Sequence, residues 1–215
     1  MISDKPMRSL QQEPEEPAPH RIELLDTAMG QRLLKERVIY LSATIDQESA
    51  RRICQQLLVL EADDPKLPIT LYINSPGGEV YSGFAILDMM DFVSAEVITV
   101  AAGLSASMGT MILCCGARQR RFALPNARVM IHQPLGGLQG VASDIAIEAK
   151  EILTIKERLI DILSQRSGQP REKIERDINR NYWLSASEAQ AYGLVDHVVA
   201  SRVEMRRILE GAPVR

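Results

Sequence analysis

Gly103-Leu104-Ser105-Ala106-Ser107-Met108-Gly109 separates an apolar run, Val97 to Ala102, from a second mostly apolar run, Met108 to Cys115. That is the layout of a strand, a glycine-assisted turn and a helix whose first turn carries a hydroxyl. A serine placed there meets unpaired backbone N–H groups and the positive end of the helix dipole, which suit a developing oxyanion. Small residues at such a turn also serve close packing, and neither Ser105 nor Ser107 sits in the strict G-x-S-x-G elbow.

Working outward, His132 follows Ser107 by 25 residues and ends a largely apolar run, Ala127 to Ile131. It is the best placed of three histidines: His20 lies in a polar tail and His197 in a late strand. A histidine at a strand end beside a turn serine is a natural general base. Upstream, Ile69 to Asn74 is an apolar strand that runs into Ser75-Pro76-Gly77-Gly78. Such a turn is either an ordinary loop or a place where backbone N–H groups approach a ligand unobstructed by Cβ. Because it leads straight into a helix, Val80 to Val93, the second reading is favoured: one donor of an oxyanion hole. Together these elements read as a serine hydrolase.

The rest of the chain alternates. Strands are expected at Arg37–Ser42, Ile69–Asn74, Val97–Ala102, Ala127–His132 and Leu194–Ala200. Helices are expected at Gln47–Leu60, Val80–Val93, Met108–Gly116, Ser143–Gln165 and Arg171–Asn179. Ser185-x-x-Glu188 has the form of a capping box, and Gly193 suits that helix's C-terminal stop. Alternation of this kind predicts an α/β domain of repeated β-α units around a mostly parallel sheet. Val97 to Ala117 is 21 residues without a charge, but Gly103, Ser105, Ser107 and Gly109 break it as a membrane span.

Composition narrows the class. A net charge of −3 favours neither nucleic acid nor an anionic membrane as partner. Cys54, Cys114 and Cys115 form neither a disulfide framework nor a metal-ligand spacing, and Cys114 and Cys115, in an apolar helix, read as core residues of a reducing compartment. No P-loop run is present, so the chain is not expected to use ATP itself. Residues 1–20 are polar and Pro-rich, read as disordered, and carry no apolar core of a secretory signal. A cytoplasmic location is the default expectation.

Several segments resemble one family when taken together. They are Leu33 to Ile39, Tyr72 to Gly78, Ser105 to Gly109, Phe122 to Arg128, Met130 to Pro134, Ile174 to Asp177, Leu184 to Ala186, Glu188-Ala189 and Tyr192 to Asp196. In order and without large gaps over roughly 31–200, they resemble the proteolytic subunit of the Clp protease, a self-compartmentalising serine peptidase of crotonase-like fold. The resemblance implies Ser107, rather than Ser105, as nucleophile and His132 as general base. The N–H groups of Gly78 and Met108 would form the oxyanion hole, and Gly77, Gly136 and Gly137 would line the substrate groove. No cofactor is implied.

The same resemblance implies heptameric rings stacked as a tetradecamer, with the helix at Ser143–Gln165 protruding as the handle between them. A plainer reading makes Ile152, Ile155, Leu159 and Ile162 one packed face of a monomer. It further implies docking of a separate hexameric AAA+ unfoldase at apolar clefts, here Tyr72, Phe92 and Phe122, and unfolded proteins as substrates. Residues 1–20 would be a tail or propeptide, and 201–215 a C-terminal tail. Residues 21–30 stand at the axial-gate segment without a clear counterpart to it.

One position departs from the family. Where an aspartate is expected as third triad member, the chain has Asn181. An amide oxygen can accept a hydrogen bond from the imidazole, but it supplies no charge to stabilise an imidazolium. In chymotrypsin-type enzymes the Asp-to-Asn change costs about 10⁴ in turnover, whereas papain-like enzymes work with Asn. Asp177 and Asp196 are outside candidates for the role. Two functions therefore stand: a Clp-type serine endopeptidase subunit, or a weakly active or regulatory paralogue that co-assembles with active subunits. An acyl-CoA enzyme of crotonase-like fold would leave the serine–histidine pair unexplained.

Overall fold

The strand β3 (Val97–Ala106) organises the molecule, and its apolar composition explains why: its first five residues are all buried. A computed structural model describes residues 28–135 and 139–211. Before β3 come a helix α1 (28–35), β1 (Val38–Leu41), α2 (Gln47–Asp63), β2 (Ile69–Ser75) and α3 (Val80–Phe92). After it follow α4 (Met108–Cys114), β4 (Arg121–Ala123), β5 (Arg128–Ile131) and α5 (Ala142–Ser167). The chain ends with α6 (Arg171–Asp177), β6 (Tyr182–Ser185), α7 (Ala186–Tyr192), β7 (His197–Val198) and α8 (Arg202–Leu209).

The strands form one sheet in the order β1-β2-β3-β4-β7, parallel throughout. β3 is long enough to serve two neighbours in succession. Thr99 to Ala101 pair with β4, and Leu104 to Ala106 pair with β5, which in turn pairs antiparallel with β6. The fork is eased by a register shift: Ile73 pairs with Ala101, but Ser75 pairs with Ser105. The extra residues on β3 include Gly103, at φ +98, where a Cβ would come within 2.8 Å of Asn74 Oδ1. That oxygen instead accepts from Leu104 N at 3.0 Å, and the bulge is closed.

This corrects the expected end of β3. The strand does not stop at Ala102 with a turn at Gly103; it runs on to Ala106, and the sharp turn falls on Ser107. Two short strands, β4 and β6, were not expected, since three or four residues of mixed character carry no readable period. The last expected strand, Leu194–Ala200, contracts to His197–Val198. Within the expected C-terminal tail lies α8, capped by Ser201 and anchored by buried Met205. The capping box of α7 is present, and Gly193 ends that helix in the left-handed conformation at φ 91.

The main core joins the sheet to α2, α3, α4 and the C-terminal half of α5; a smaller one gathers Ile98, Val100, Phe122, Val199 and Met205. On α5, Leu159, Ile160 and Leu163 are buried, with Ile155 and Ile162 packed against the core. None of residues 142–158 is buried, so the N-terminal part of this 26-residue helix lacks a core of its own. Among the described residues, no helix is long and apolar enough to cross a membrane.

Candidate active site

Ser107 is the residue at which β3 becomes α4. Its backbone lies at φ 55, ψ −123, outside the regions a side-chain-bearing residue adopts freely, at a cost of order 1–3 kcal/mol. The surroundings enforce it. Its N–H donates to Met130 O at 2.9 Å, closing the β3–β5 pairing, while its carbonyl accepts from Thr110 and Met111 and so starts α4. Small residues make the turn possible: a Cβ on Gly109 would stand 3.0 Å from Ser75 O. Ser105, two residues earlier, is fully buried, and its Oγ has no hydrogen-bond partner. Ser107 is half-buried.

The Pro76-Gly77-Gly78 turn lies against this serine. Ile45 grips it from the other side, donating to Gly77 O at 2.9 Å and accepting from Glu79 N at 2.8 Å. Gly78 admits no side chain, since a Cβ would fall 2.0 Å from Ile45 O. No backbone hydrogen bond among the described residues engages the N–H of Gly78 or of Met108. Both residues line the same cavity as Ser107, and free donors of this kind are what an oxyanion requires.

His132 follows β5 directly and lines that cavity too. The β3–β5 register, in which Ala106 is opposite Met130, carries it to the same end of the sheet as Ser107. Its Nδ1 is buried and has no hydrogen-bond partner. No hydrogen bond joins Ser107 to His132 among the described residues, and such catalytic contacts commonly tighten only on substrate binding.

Asn181 sits just before β6. In the antiparallel β5–β6 ladder Ile131 is opposite Tyr182, so one further step sets position 181 across from position 132. Its side chain is nonetheless exposed and does not bond to the imidazole. The two outside candidates are engaged elsewhere. Asp177 accepts from Lys173 Nζ at 2.6 Å and from Tyr192 Oη at 2.7 Å. Partial burial pushes its carboxyl up, but these two hydrogen bonds outweigh that and hold it below the usual carboxylate value. Asp196 pairs with Arg121, and the two side chains are only 7% and 9% exposed.

The cavity measures about 260 Å³, and apart from Ser107 and His132 its side chains are apolar: Val80, Met108, Met111, Ile131, Leu159 and Leu163 among them. Of these, Leu159 was expected on one packed face of its helix and Met108 as a backbone donor; a cavity wall was not expected, because helical periodicity does not tell a packed side chain from one facing a cavity. Gly77 backs onto Ser107, while Gly136 and Gly137 lie outside the described residues. Of the three aromatics assigned to partner docking, Tyr72 lines a separate groove of about 440 Å³ with Leu33, Val38 and Tyr40. Phe92 is 78% exposed at the end of α3. Phe122 is fully buried, its ring 5.4 Å from that of His197. No group of three or more metal-ligating side chains occurs among the described residues.

Comparison with protein-family models gives a match over residues 23–202 to the family described as Clp protease. The matched range takes in Ser107, His132, Asn181 and the glycine turn.

Proposed function

The chain belongs to the Clp protease family, and on the strained turn at Ser107 we propose that it is a serine-type endopeptidase subunit. His132 takes the Ser107 proton as Oγ attacks the scissile carbonyl; the oxyanion is held by the N–H groups of Gly78 and Met108. His132 then returns the proton to the leaving amine, and water hydrolyses the acyl-enzyme by the same steps in reverse order. The apolar cavity walls receive an apolar substrate side chain. Unfolded polypeptides are cut inside a chamber of stacked heptameric rings, in the cytoplasm, fed by a separate hexameric ATP-dependent unfoldase. The long N-terminal part of α5 without a core of its own supports its reading as the handle between rings.

The observation that carries this reading is the backbone of Ser107. Strain at a residue that carries a nucleophilic hydroxyl, next to two free N–H groups, is better explained by catalysis than by packing. The test is hydrolysis of a short fluorogenic peptide with an apolar residue before the scissile bond, together with labelling by a fluorophosphonate. Ser107→Ala loses both signals while the particle elutes unchanged from size exclusion. Undiminished turnover by that variant overturns the assignment.

A second reading, a weakly active or regulatory paralogue, is favoured by one pair of facts: His132 Nδ1 lacks a partner and the Asn181 amide is exposed. Silence from an assembled homomeric particle, with activity restored on mixing with an active paralogue, supports it.

A further inference from the structure

Among the described residues, the connection between α6 and β6, residues 178–181, is hydrogen-bonded to the segment carrying His132 through Gln133. Gln133 directly follows the histidine. Its backbone N–H donates to Ile178 O at 2.7 Å, and its side-chain Nε2 donates to Asn179 O at 3.1 Å. Ile178 closes α6 and is fully buried, so the first bond fixes the connection to the core. The second bond is two residues from Asn181, and residues 179–181 are all exposed. Beyond it, the next anchor is the pairing of Tyr182 with Ile131 in the β5–β6 ladder.

We infer that Gln133 is a positioning residue whose side-chain amide sets the reach of Asn181 toward the His132 imidazole. The inference rests on the reading of Ser107 and His132 as nucleophile and base. A neutral orienting group acts only through a directed hydrogen bond, whose strength falls steeply with misalignment. An aspartate would keep a charge–charge attraction even when displaced. Asn181 therefore depends on the placement of its backbone more than an aspartate would, and Gln133 restrains that backbone from the His132 side. Gln133 does not itself line the cavity, so its loss is expected in kcat and not in KM.

A double-mutant cycle tests this, with Gln133→Met and Asn181→Ala made singly and together. The readouts are kcat and KM for a fluorogenic peptide and the rate of Ser107 labelling by a fluorophosphonate. Gln133→Met, which keeps the length and removes the donor, is expected to lower kcat about threefold to tenfold, the worth of one neutral hydrogen bond, with KM unchanged. In the Asn181→Ala background it is expected to cost nothing further. Gln133→Asn, with an amide one methylene too short, carries the same cycle if the methionine variant does not fold. Equal losses in both backgrounds, or a loss confined to KM, overturn the inference. An unlabelled wild-type chain defeats the serine-peptidase reading and this inference with it, whereas a labelled wild type with additive losses defeats the inference alone.

Discussion

Gly77 lies directly against Ser107: a Cβ built on the glycine would come within 2.6 Å of the Ser107 Cβ and 2.7 Å of Ala106 O. The contact couples the two loops that meet at the cavity, since anything that moves the glycine turn moves the serine or is blocked by it. Gly77 also sits at φ +93, where a side chain is strained whatever the space.

Gly77→Ala is accordingly expected to lower peptide hydrolysis by at least about tenfold, since misplacing a single oxyanion donor costs roughly 10²–10³. It is also expected to destabilise the fold by about 1 kcal/mol or more. Hydrolysis rate and thermal midpoint, measured on the same preparation, check both.

Ser107→Gly separates strain from chemistry. Glycine adopts φ 55, ψ −123 without a Cβ penalty, so the variant is expected to gain about 1 kcal/mol of stability from the strain relieved, while hydrolysis disappears. A lower melting temperature in Ser107→Gly would show that the serine turn is not under strain.

Asn181→Asp is expected to raise kcat, because a carboxylate opposite His132 would stabilise the imidazolium that an amide cannot. The comparison needs particles of matched assembly state. An unchanged kcat would mean that Asn181 already suffices or that another group orients the ring.

Arg121 and Asp196 make a structural prediction. The guanidinium donates from Nε and Nη2 to the two carboxylate oxygens at 3.0 and 2.5 Å, and from Nη1 to Arg166 O and Gly193 O at 2.8 and 3.0 Å. Burial pushes the Asp196 carboxyl up, but the Arg121 hydrogen bonds and charge prevail and hold it below the usual carboxylate value. Asp196→Asn leaves Arg121 uncompensated and is expected to cost about 3–5 kcal/mol in urea unfolding. The sign with pH follows from linkage. The folded pKa is depressed, so the wild type keeps this contribution above about pH 4, the unfolded carboxylate value, and loses it as pH falls through the folded pKa. The stability gap between wild type and Asp196→Asn should therefore narrow in acid, and a gap that does not change with pH would exclude the pair as its source.

Much of the architecture is legible in the sequence. Apolar runs mark β1, β2, β3 and β5, with Pro68 and Pro76 flanking β2 and Pro125 and Pro134 flanking β5, and the Ser185-x-x-Glu188 box with Gly193 marks α7, because caps and turns are set by residues a few positions apart. β4, β6 and α8 were not legible: each is short, and each is stabilised by a neighbour distant in the chain, as Phe122 is by His197 and Leu184 by Val129. Phe122, on β4, is fully buried in the smaller core with Ile98, Val100, Val199 and Met205.

By itself the sequence determined the alternation of strands and helices, the glycine turn at 76–78, and the candidacy of His132 and of a serine at 105 or 107, since each depends on local backbone preference and residue type; the choice of Ser107 came from the family resemblance. Only the tertiary structure decided that β3 continues through Gly103, so that the turn and its strain fall on Ser107. It also decided that the apolar side chains of α4 and α5 wall a cavity beside that serine, and that Asp177 and Asp196 are bound by Lys173 and Tyr192 and by Arg121. These depend on register and on contacts between residues far apart in the chain, which pairing across the sheet creates and no local pattern encodes.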